Sequence, residues 1–160
     1  MHRPADRYLR HDRIFSTYRS QGGMSGYAHV GGELFNVRRG LALDVPLGAV
    51  DFVEVLQDGI LATELWYDFL NLGFALTPTA GFDFPCPSAP GGERNYVHVG
   101  EAFSVNAWYV QLRANRTFVT NGPMLEFTVN GNGIGSKIEL LPGDEIEVVA
   151  SASKPLIDSN

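Results

Sequence analysis

The run from Trp66 to Asp83 constrains the chain more than any other. Leu61, Leu65, Trp66, Phe69 and Leu70 recur at helical spacing and make one apolar face. Gly73 follows where a left-handed C-cap is wanted, a conformation open to a residue without a Cβ. Residues 74–80 then read as a buried strand, Gly81 lets the chain turn sharply, and Asp83 is left just past the strand end. In α/β sheets and barrels, ligands bind beyond the carboxyl ends of the strands. The run therefore predicts an α/β protein with a site at Asp83.

The rest of the chain sets limits around that unit. Its 160 residues suit one ordinary domain, and 44% apolar residues suit a globular core. A net charge of -6 argues against a nucleic-acid binder, because neutralising phosphates needs clustered Lys and Arg. No apolar run is long enough to span a bilayer, so no membrane partner is expected. The start, Met1-His2-Arg3-Pro4, carries no hydrophobic region, so a cytoplasmic location is expected. Cys86 is the single cysteine, which excludes an internal disulfide.

Taken in order, residues 6–21 suit a helix that Gly22-Gly23 ends, with its arginines on a solvated surface. Residues 24–30 read as a strand ending at His29, followed by the turn Val30-Gly31-Gly32-Glu33. A histidine there can present a ring nitrogen to a metal or substrate, although alone it reads first as a satisfied structural histidine. Glu33 reads as a loop carboxylate that could serve as a second acid. Residues 36–46 suit a loop or a short helical excursion. Residues 49–56 are β-rich, and Glu54 interrupts them: it is either an acid facing solvent on an edge strand or a buried acid that needs a partner. The proline- and glycine-rich loop 85–92 carries Cys86, which reads as a structural thiol.

Residues 95–100 alternate like a strand, with His98 structural or surface-facing. Ser104 is a good N-cap for a helix over 105–114. From Thr117 onward the pattern is β only. Strands are expected at 117–120 and 125–129, and a hairpin is expected to pair 137–141 with 145–150 around Pro142-Gly143-Asp144. Strand–helix alternation followed by strands alone suggests parallel βα units with an appended antiparallel segment.

Five stretches add up to a resemblance: Gly26-Tyr27-Ala28-His29, residues 50–56, residues 65–73, Pro78-Thr79-Ala80-Gly81-Phe82-Asp83, and Arg116-Thr117-Phe118-Val119-Thr120-Asn121-Gly122-Pro123. In that order they resemble the C-terminal half of the CehA/McbA-type metallohydrolases. These belong to the PHP (polymerase and histidinol phosphatase) superfamily. The resemblance runs from about Gly23 to Ala150. It implies a partial, half PHP-like β/α barrel of parallel strands over 1–116. A β-rich segment over 117–160 would be the truncated start of a β domain. It also implies a hydrolase acting on amide, carbamate or phosphoester bonds with divalent metal, Zn or Mn, at the strand ends. His29 matches a histidine ligand of that family and Asp83 an aspartate ligand. Glu54, with Glu33 as an uncertain extra, matches an acid of the second shell or facing the substrate.

The departures are specific. The family's early H-x-H pair has no counterpart in this chain, and Phe82 stands where the family has serine. A catalytic zinc needs three protein ligands, and His29 with Asp83 supplies two. The isolated chain is therefore expected to be a fragment that binds metal weakly and is inactive alone. The alternatives are a non-catalytic half-barrel that pairs into a homo-oligomer, or a small-ligand binding module built on loop 85–92 and the β tail.

Overall fold

A computed structural model describes residues 13–30, 37–85 and 90–154. Helix α1 (13–20) is followed by strand β1 (Gly26–Tyr27) and helix α2 (Val37–Asp44). Then come β2 (Phe52–Gln57), β3 (Ile60–Leu61), α3 (Glu64–Asn71) and β4 (Thr77–Gly81). The chain continues through β5 (Arg94–Val97), α4 (Val105–Arg113), β6 (Thr117–Thr120), β7 (Met124–Val129) and β8 (Val148–Ser153). Among the described residues, no helix is long and apolar enough to cross a membrane.

Strand β2 is the hub. Strand β4 pairs with it in parallel along its whole length, from Phe52↔Thr77 to Gln57↔Gly81, with an irregularity between Glu54 and Leu56. The opposite edge is shared: β1 pairs in parallel at Phe52 and Val53, and β3 pairs antiparallel at Leu56 and Gln57. Alternation along the strand sends Val53 and Val55 into the core, where both are almost fully buried, and leaves Glu54 on the other face. Val30, Leu41, Val45, Val50, Phe69 and Leu76 complete that core. Trp66 seals one side, its indole Nε1 donating to the Leu76 carbonyl at 2.9 Å.

The expected half-barrel is not what forms. The four-stranded sheet around β2 is small and open, and the remaining strands make two separate antiparallel pairs, β5–β6 and β7–β8. The reason begins directly after β2. Asp58 (φ 50) and Gly59 (φ 73) both take positive φ, the conformation of a two-residue hairpin turn. The chain therefore folds straight back as β3 and occupies an edge that a barrel would leave for a parallel neighbour. The expected hairpin of 137–141 with 145–150 is also replaced: β8 pairs with β7, from Met124↔Ser153 to Val129↔Val148, and 137–141 forms no strand.

Side chains, rather than ladder hydrogen bonds, dock β5–β6 onto the sheet. The Asn95 amide accepts from the Ala80 N–H at 2.8 Å and donates to the Ala80 carbonyl at 2.9 Å, mimicking one rung beside β4. The Thr77 hydroxyl lies 2.8 Å from Asn115 Oδ1 and 3.1 Å from the Leu112 carbonyl, which ties the end of α4 to the start of β4. Ser104 caps α4 as its sequence predicts, accepting from the Ala107 N–H at 3.0 Å. Arg19 differs from its expected solvated role: it bonds the Gly48 carbonyl and lies 3.8 Å from Asp51.

Helix α2 packs on β1 through Gly40. A Cβ there would collide with the Tyr27 ring, so glycine lets the ring lie against the helix. The Tyr27 hydroxyl then donates to Asp44 Oδ2 at 2.5 Å, and Asp44 is 1% exposed. Tyr27→Phe removes a buried bond to a carboxyl group and is expected to lower stability by roughly 1.5–3 kcal/mol. Urea denaturation with an unchanged m-value checks it; a midpoint equal to the unsubstituted protein's would contradict it.

Candidate functional site

The carboxyl edge of the parallel strands carries three of the residues singled out from sequence. His29 lies two residues past β1, Asp83 two past β4, and Glu54 sits on β2 between them. His29 (φ 59) and Asp83 (φ 50) both adopt the left-handed conformation, which is uncommon outside glycine and collects at functional sites. Each strand thus leaves the sheet through a sharp turn placed at a polar residue rather than at a glycine.

The register sets how far apart these residues fall. Strand β1 leaves the sheet opposite Val53, whereas β4 continues to Gln57. The two exits are therefore staggered along β2, with β4 running further than β1. Glu54 spans the offset. Its Oε2 accepts the His29 backbone N–H at 2.9 Å, and its Oε1 lies so close to Gly81 that a Cβ there would collide with it. A side chain at 81 would displace the Glu54 carboxyl; Gly81 belongs to β4, and the turn comes later, at Asp83. Of the two readings open for Glu54, the partnered acid is the one that occurs.

These residues do not form a complete metal centre. Among the described residues, no three His, Cys, Asp or Glu side chains come together as a group that could hold a metal ion. The Glu54 carboxyl accepts from the His29 backbone N–H and lies against Gly81. Glu33 and Cys86 lie outside the described residues.

Sequence reasoning missed a third acid at this edge. Glu93, 8% exposed, accepts the Gly59 N–H through Oε1 at 2.8 Å and so holds the β2–β3 turn. Its Oε2 is buried without a hydrogen-bond partner among the described residues. The docking of Asn95 on Ala80 brings the start of β5, and Glu93 just before it, toward that turn, and no local pattern announces it.

A separate cleft of about 590 Å³ opens on the outer face of the β5–β6 pair, with β7 and residues 133–136 as its other walls. Tyr96 and Phe118 are register partners, and their rings stack there at 5.4 Å with 19° between planes. His98, read from sequence as structural or surface-facing, lines this cleft beside Arg116; its N–H donates to the Arg116 carbonyl at 2.9 Å. The signal was present in the alternation of Arg94-Asn95-Tyr96-Val97-His98 against Arg116-Thr117-Phe118-Val119-Thr120, which puts one set on each face.

No protein-family model matches the chain, no curated protein matches it, and no solved structure matches it.

The Glu54 contacts give a direct expectation. Glu54→Ala is expected to cost about 1–2 kcal/mol, because the His29 N–H loses its acceptor. Glu54→Gln keeps an oxygen at that place and is expected to cost less than half as much. Equal unfolding midpoints for the two variants would contradict this assignment.

Proposed function

We propose that the chain is part of a metal-dependent hydrolase of the CehA/McbA type, acting on amide, carbamate or phosphoester bonds, and that this portion is silent by itself. The observation that supports the reading is the position of His29, Glu54 and Asp83 at one edge of three mutually parallel strands, with Glu54 touching both strand exits. A site assembled there needs at least one more ligand than His29 and Asp83 provide. In this reading Glu54 positions the edge, and the missing ligands come from outside the described residues.

A metal titration read by nuclear magnetic resonance tests it. Mn²⁺ added to the chain is expected to broaden the His29, Glu54 and Asp83 amide signals first, at an affinity no tighter than millimolar. Asp83→Ala is expected to abolish that selectivity. Hydrolase assays on carbamate, amide and phosphoester substrates are expected to give no turnover. Broadening confined to other carboxylates would refute the site. Metal-dependent turnover lost in Asp83→Ala would refute the silence.

A second reading, self-association, rests on the β7–β8 pair. The register puts Leu125, Phe127, Val129, Val148, Ala150 and Ala152 on one face, and Phe127 is 46% and Val148 57% exposed. A two-stranded ribbon is marginal in water without a cover, so an apolar ribbon face favours a homo-oligomer. Light scattering is expected to give a dimer that Phe127→Glu dissociates; a monomer at high concentration would contradict it.

A further inference from the structure

We propose that the cleft over the β5–β6 pair binds a small aromatic carboxylate, stacked on Tyr96 and Phe118 with its charge on Arg116. The inference does not depend on the hydrolase reading.

The site follows from the strand period. Asn95 and Thr117 point inward, toward Ala80 and the buried side, and Val119 packs on the core. Tyr96, His98, Arg116 and Phe118 consequently face outward together. Two near-parallel rings, neither fully buried, stack on each other and give the cleft an apolar floor. A third ring can extend that stack in the offset arrangement that aromatic pairs favour.

The far wall is held in place by Gly135. At φ 82, it packs so tightly on the α4–β6 corner that a Cβ would stand 2.8 Å from the Ala114 carbonyl oxygen and 2.9 Å from Arg116 Cγ. The turn therefore pins the Arg116 stem beside the floor. Arg116 is exposed, and among the described residues its guanidinium makes no ion pair. Its planar fork suits a carboxylate in two parallel bonds. Glu126, the acid lining the cleft, accepts from the Ser151 hydroxyl at 3.2 Å on β8. The volume, about 590 Å³, falls within the usual range of small-ligand pockets and admits a bicyclic ring.

Three probes with one ring and three charges separate the contributions: indole-3-acetate, indole-3-acetamide and tryptamine. Amide-resolved titrations are expected to shift Tyr96, Arg116 and Phe118 together, with the acid binding about tenfold tighter than the amide, as a charge-assisted pair gives, and the amine weakest. Arg116→Gln is expected to bring the acid down to the amide's affinity while leaving the amide unchanged. Because Arg116 is exposed, signals away from the cleft should stay in place, which verifies that this variant is folded. Phe118→Ala is expected to weaken all three probes. No shift at these residues, an amine binding as tightly as the acid, or an unchanged preference in Arg116→Gln would each overturn the proposal.

Discussion

Pairing of β2 on both of its edges is the constraint on which the other elements depend. Its six residues meet β4 on one side and β1 and β3 on the other, so every neighbour takes its register from one short strand. Alternation then divides the work. Val53 and Val55 anchor the core, and Glu54, between them, is sent to the opposite face to join the strand exits. Removing the acid would leave the sheet paired but would free the end of β1 from that of β4. Fold and candidate site are thus two faces of the same strand.

Local structure was legible where a local cause operates. Ser104 has the side chain that an N-cap needs, and α4 begins beside it. Gly73 takes positive φ (89) just past α3, as the absence of a Cβ suggests. Parallel pairing around residues 52–57 also followed from the strand and helix pattern. The turn back into β3 did not follow, although Asp58-Gly59 carries the strongest short-range hairpin signal in that region. Reading Leu61 as the first position of a helical face concealed it, since an apolar residue at the end of a hairpin fits both periods. The partner of β8 was hidden for a different reason. Residues 137–141 and 124–129 are both β-prone, and register between distant strands is set by packing that no window of sequence contains.

The candidate site divides in the same way. Asp83 stands past the end of β4, as its sequence position suggested, whereas His29, expected at the end of a strand over 24–30, lies two residues beyond the shorter β1. Their offset arises from where β1 and β4 leave β2, which spacing along the chain cannot encode. Glu54 was ambiguous because an acid in a β-run has the same signature whether it meets water or an amide. The stacked floor of the cleft needed the pairing of β5 with β6, separated by all of α4. The two proposed sites, for hydrolysis and for an aromatic acid, are compatible, because the Asn95 side chain couples β5 to β4 while leaving the outer face of β5–β6 open.

The central claim is that the Glu54 carboxyl holds the end of β1 by accepting the His29 amide. Hydrogen exchange at that single amide tests it, because the bond is made to a side chain and its loss need not disturb the ladder. The account predicts that the His29 amide exchanges at least about tenfold faster in Glu54→Ala than in the unsubstituted protein, while Val53 and Val55 amides keep their protection. Equal His29 rates in the two proteins would contradict it.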